Sequence, residues 1–167
     1  MNENPIILSG KQGAIAFHLA ASADAWRAEY PFHHFPFDIE IYLDEDLGGE
    51  VLDTPIDWRR VSHFIDTLKQ YLPALLQKSD RSLKSFMGHT GLYTLEQKQS
   101  LGFHLNSLEY LPMATPPRID PAYYFSDHLF ELHFTLENQE KIPQDYYGDW
   151  ITTWKGNQLN GLRREQV

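Results

Sequence analysis

Two periods of apolar positions divide this chain into sheet-forming and helix-forming stretches. From Phe37 to Asp44 the alternation is strict: Phe37, Ile39, Ile41 and Leu43 fall on one side, and Asp38, Glu40, Tyr42 and Asp44 on the other. That pattern predicts a half-buried strand with an acidic outer face. Gly13 to Ala20 is a second, earlier strand candidate. The period then changes. Val61, Phe64, Ile65, Leu68, Leu72, Leu75 and Leu76 recur at helical spacing and predict one buried stripe. Thr54 is placed to cap this helix, Pro55 to take its first position and Asp57 to follow three residues after the cap. Pro73 interrupts the stripe and predicts a kink or a fresh helix start, with further helical turns from Lys78 to Met87.

Alternation returns in the second half. Leu101, Phe103 and Leu105 alternate with Gly102, His104 and Asn106, and Phe130, Leu132, Phe134 and Leu136 with Glu131, His133, Thr135 and Glu137. The second of these runs reads back to Tyr123. Asp149 to Trp154 and Gln158 to Arg164 read as a hairpin turning at Gly156-Asn157. Consecutive strands with short connections predict an α+β domain: an antiparallel sheet of about five or six strands, with one or two helices on one face.

With 167 residues and no linker or repeat, residues 1–167 read as a single domain. Hydrophobic residues are 42% of the chain and aromatics 14%, enough for a packed core without staples. There is no cysteine, which removes disulfides and thiolate metal sites. The first residues carry no positively charged leader pattern, and no apolar run reaches the roughly 18 residues of a membrane span. A soluble, cytoplasmic protein is the expectation.

Charge changes the picture more than composition does. The formal net charge is -9. Nine acids lie between Ala28 and Trp58: Glu29, Asp38, Glu40, Asp44, Glu45, Asp46, Glu50, Asp53 and Asp57; that span holds no Lys and no Arg. Outside it, acids and bases are equal in number. A focused negative field raises the local concentration of positive partners and speeds encounter with them. The same field argues against nucleic acid and anionic lipid as partners.

Candidate chemistry is sparse. Asp44-Glu45-Asp46 before Gly48-Gly49 and Glu50 invites a calcium-loop reading. An EF-hand starting at Asp44 fails, because Gly48 stands where the fifth-position ligand belongs and Pro55 where the closing Glu belongs. His33 and His34 are adjacent, and side chains of adjacent residues on extended chain diverge. His104, Glu131 and His133 share the polar faces of two strand candidates. If those strands pair, the three would meet as an acid–base or metal cluster. The competing reading is the water-facing side of an antiparallel sheet. No phosphate loop, dinucleotide fingerprint or nucleophile motif appears, so no cofactor is expected. Tyr30, Phe32, Phe35, Phe37 and Trp58 flank the acids, as aromatic anchors do in protein interfaces.

The chain ends Tyr147-Gly148-Asp149-Trp150-Ile151-Thr152-Thr153-Trp154, a turn at Gly156-Asn157, then Gly161-Leu162-Arg163-Arg164. This Gly-x-Trp strand, turn and Gly-x-Arg strand resembles the closing hairpin of small bacterial immunity proteins from polymorphic-toxin and contact-dependent growth inhibition systems. The cysteine-free α+β reading and the acidic span fit the same family. The resemblance implies stoichiometric binding to a cognate toxin, often a basic nuclease, and no catalysis. Asp44, Glu45, Asp46, Glu50 and Asp53 are then the nominated partner-binding residues. Two alternatives stand beside it: a small metal-dependent hydrolase using His104, Glu131 and His133, and an acidic adaptor that mimics nucleic-acid charge.

Overall fold

In the computed structural model the residues described are 4–11, 13–20, 25–28, 37–42 (39–42 by backbone alone), 56–111, 123–137, 141–142 and 148–165. Among these residues eight strands form a sheet in sequence order: β1 (Ile6–Gly10), β2 (Gly13–Leu19), β3 (Ala25–Ala28), β4 (Asp38–Tyr42), β5 (Phe103–Leu111), β6 (Leu129–Leu136), β7 (Asp149–Lys155) and β8 (Gln158–Glu165). The expected α+β class holds; the strand count of five or six does not. β1 and β3 were the additions. β1 offers only Ile6-Ile7-Leu8, and β3 is four residues whose outer two are buried, so neither shows a long alternation.

The sheet is also not wholly antiparallel. β4 and β5 run parallel, with Asp38 opposite Ser107 and Ile41 opposite Tyr110. Between them lies the helical segment, α1 (Trp58–His89) and α2 (Leu95–Ser100). A helical segment of this length carries the chain from the end of the sheet where β4 finishes back to the end where β4 began, which a parallel neighbour requires.

Helix α1 is continuous through Pro73. The proline costs one backbone bond, to the carbonyl four residues back, but the stripe continues on both sides of it. Val61, Phe64, Ile65, Leu68, Leu75, Leu83 and Met87 are buried, while Pro73 lies on the exposed side. Its N-cap is Asp57, whose carboxylate accepts from the backbone N–H groups of Arg59 (3.1 Å) and Arg60 (3.3 Å). The Thr54 cap and Pro55 start expected from sequence lie outside the described residues, and the helix begins after them. It stops at Thr90, followed by Gly91 with φ +70°, the left-handed residue that commonly ends a helix.

α1 covers one face of the sheet. Phe17, Leu108, Tyr110, Phe130, Leu132, Phe134, Trp150 and Trp154 meet its stripe. Buried Ser79 of α1 hydrogen-bonds Thr152 of β7 (3.2 Å), and Thr152 Oγ1 accepts from the Trp154 indole (2.8 Å). The Tyr123 end of the β6 run is not strand. Residues 125–127 form a short 3-10 turn, η1 (Phe125–Asp127).

The hairpin at Gly156-Asn157 is present, with Lys155 opposite Gln158. Gly156 has φ +57°, and a Cβ there would lie 2.6 Å from Ser126 Cα and 3.0 Å from the Phe125 carbonyl oxygen. Its N–H donates to the His128 carbonyl (2.8 Å). The turn is thus seated against η1. We expect Gly156→Ala to cost about 2 kcal/mol, from left-handed strain and overlap with backbone that cannot swing away. Chemical denaturation checks this; an unchanged midpoint would mean that η1 yields freely.

Candidate functional site

The acidic span is partly used by the fold itself. Asp38 pairs with Arg27 Nη2 of β3 at 2.9 Å, with the side chains 27% and 43% exposed. A half-exposed pair of this kind contributes little to stability, but it cancels one charge. Asp57 caps α1 and accepts a hydrogen bond from the Tyr123 hydroxyl. Burial alone would raise the Asp57 pKa, yet Tyr123, the two backbone donors and Arg59 hold it below the ordinary carboxylate value. Glu40 stands in register between Arg27 and Glu109. Glu29, Asp44, Glu45, Asp46, Glu50 and Asp53 lie outside the described residues, as do His33 and His34.

A second charged group occupies the sheet face opposite α1. The strand register places Glu109 of β5 directly across from Glu131 of β6, and Glu131 across from Thr153 of β7. Two carboxylates set opposite each other repel. Two cations resolve the conflict. His133 Nε2 lies 3.2 Å from Glu109 Oε1 and 3.8 Å from Glu131 Oε2. Arg163 reaches across from β8 and grips Glu131 with both terminal nitrogens, one bond measuring 2.6 Å. Thr153 Oγ1 donates to Glu131 Oε1 at 2.8 Å. Glu131 and His133 are each 5% exposed.

These contacts determine protonation. Burial alone would raise the Glu131 pKa, but His133, Arg163 and Thr153 outweigh it and bring it to about 2. Burial alone would lower that of His133, but Glu109 and Glu131 lift it to about 9. Arg163 is pushed further up, chiefly by its bonds to Glu131. These directions favour an ionised Glu131 between two cations, His133 and Arg163, and Arg163 Nε also lies 3.2 Å from Glu165 Oε1 on the outer side.

Its chemistry follows from that occupancy. One donor atom from each of Glu109, Glu131 and His133 lies within 4.8 Å of the others, a spacing that a metal would accept. A metal needs a neutral imidazole and free carboxylate lone pairs. Here Glu109 and Glu131 lift the His133 pKa to about 9, which favours the imidazolium, and both Glu131 oxygens already accept bonds. A general base works best with a pKa near the working pH, and His133 sits above it. The arrangement is an ion-pair lock across β5, β6, β7 and β8. Of the three residues nominated from sequence, the structure brings Glu131 and His133 together. His104 pairs instead with Thr135 and is exposed, outside the group. Glu109 stands in its place. The reason is a bulge between Leu105 and Ser107: it shifts the apolar set from Phe103 and Leu105 to Leu108 and Tyr110, so the simple alternation stops short of Glu109.

A third cluster had no motif to announce it. His63 of α1 lies with Nδ1 2.9 Å from His128 Nε2, and His128 Nδ1 lies 2.9 Å from the Tyr110 hydroxyl. His128 and Tyr110 are fully buried. The Phe64 ring stacks on Tyr110 at 4.5 Å and packs against His128 at 5.2 Å. Burial lowers the His128 pKa to about 3, with His63 and Arg60 adding to the effect. Its three members come from α1, β5 and the end of η1 just before β6, up to 65 residues apart, a separation that local periodicity does not bridge.

No family model, curated protein or solved structure matches this chain. Among the described residues no helix is long and apolar enough to cross a membrane.

Proposed function

We propose that this protein is a non-enzymatic binding protein that neutralises a basic protein domain, as an immunity protein neutralises its toxin. The observation that carries the reading is the placement of charge: the whole net charge of -9 is concentrated between Ala28 and Trp58. Two of those nine acids serve the fold, Asp38 against Arg27 and Asp57 at the cap of α1. The remainder includes Asp44, Glu45, Asp46, Glu50 and Asp53, the residues assigned here to the partner. Charges of this kind speed association and fix orientation, while a few buried anchors supply the affinity.

The hydrolase reading has less support. Its central residues, Glu131 and His133, are held in the ion network described above, and His104 is outside it. The proposal is tested by capturing basic proteins from the source organism on the immobilised full chain, then measuring stoichiometry and inhibition with the purified partner. The expected outcome is a one-to-one complex in which the partner's toxic activity is suppressed. A partner that is acidic, or that keeps full activity in the complex, would refute it.

A further inference from the structure

We propose that His63 is an acid-sensitive latch, whose neutral ring holds the start of α1 against η1 and whose protonation opens the contact. Arg60, beside this chain of rings, can only donate. Its Nη2 donates to the Asp127 carbonyl (2.6 Å), and its positive charge acts on the Tyr110 hydroxyl. A cation on that side favours the lone pairs of the Tyr110 oxygen over its hydrogen. The phenolic hydrogen has one acceptor in reach among the described residues, His128 Nδ1 at 2.9 Å. Leaving that hydrogen unplaced in a fully buried site would forfeit a hydrogen bond that burial makes costly to lose.

His128 Nδ1 is thus an acceptor. The neutral imidazole has one N–H, so its hydrogen sits on Nε2 and donates to His63 Nδ1 at 2.9 Å. His63 must then carry its own hydrogen on Nε2. Any further proton on His63 goes to Nδ1, where it meets the His128 N–H head on. The bond and the protonated ring exclude each other. Reversing the chain would require Tyr110 to withdraw its hydrogen from a site with no second acceptor among the described residues.

The charged and titratable surroundings are mixed. On His63, Asp66 of α1 and Asp127 of η1 favour the proton, while Lys11 of the β1–β2 turn opposes it. On His128, Arg60 and His63 oppose the proton and Asp127 favours it. Asp57 and Tyr123 act on Tyr110, and the Tyr123 ring lies 5.9 Å from His63. Burial shifts His63 toward its neutral form, below its ordinary value, which agrees with the geometric exclusion. Opening the latch would free the backbone turn at Phe125–His128, where the His128 N–H donates to the Phe125 carbonyl at 3.2 Å.

Nitrogen-15 NMR of the full chain, with labelled histidine, tests this. At about pH 7.5 the His128 ring must show its hydrogen on Nε2; a hydrogen on Nδ1 overturns the proposal. On acidification to about pH 5, His63 is expected to gain a proton, the His128 ring signals to change with it, and intrinsic-rate-corrected exchange of the His128 amide to rise about tenfold. A His63 that stays neutral, or that protonates while His128 is unchanged, overturns it. His63→Gln keeps an acceptor oxygen but cannot titrate. It should hold the His128 tautomer and abolish the acid-induced rise in exchange; a rise that persists in H63Q places the switch elsewhere.

Discussion

Glu131→Gln is expected to destabilise the fold by about 3 kcal/mol near neutral pH, since removing one member of a buried ion pair strands its partners. The value sits at the low end of the range because Arg163 is 42% exposed and can turn toward water. His133 cannot; its side chain is 6% exposed. Replacing both Glu131 and Arg163 by leucine should cost less than the two single changes added, because a jointly removed pair leaves one cation for one carboxylate, His133 with Glu109.

The pH dependence carries a sign for each partner. The folded Glu131 pKa of about 2 lies below its ordinary 4.5, so its contribution is present above 4.5 and is lost as pH falls toward 2. The folded His133 pKa of about 9 lies above its ordinary 6.5, so its contribution is complete below 6.5 and is lost as pH rises toward 9. Glu131→Gln should therefore flatten the alkaline decline in denaturation midpoint, because His133 loses one of its two carboxylates. Identical alkaline profiles in the two proteins would show that Glu131 does not hold the imidazolium.

Phe64→Ala should be more costly still, about 4 kcal/mol. Phe64 is fully buried and its ring lies 4.5 Å from Tyr110, 5.0 Å from Phe130 and 5.2 Å from His128. Deleting it removes apolar surface and opens a cavity beside a hydrogen-bonded chain whose polar atoms depend on being dry. Phe64→Leu, which fills most of the space, should cost about 1 kcal/mol. Urea denaturation separates these values. A loss below about 1 kcal/mol for the alanine variant would mean that the helix–sheet seam can collapse around the hole.

What the sequence made legible was periodic and local. The Val61 to Leu76 stripe, the alternation around Leu132 and the turn at Gly156-Asn157 each follow from neighbours a few residues apart. Ile39 and Ile41 fall in register with Leu108 and Tyr110, as their alternation requires. The fresh helix start expected at Pro73 does not occur, because the stripe buries residues on both sides of it. Glu109 was hidden by the Leu105/Ser107 bulge. The parallel pairing of β4 with β5 and the Tyr110–His128–His63 chain depend on contacts across the helical segment, which no local window contains. The acidic span was the clearest signal in the sequence, and most of its members lie outside the described residues, so its role is tested in solution.

The most direct measurement is the association rate with the captured basic partner as a function of salt, for the wild-type chain and for Asp44→Lys/Glu45→Lys/Asp46→Lys. The account predicts a wild-type rate that falls steeply as salt rises, and a variant at least about tenfold slower at low salt with a much shallower salt slope. Equal rates and equal slopes in the two proteins would contradict it.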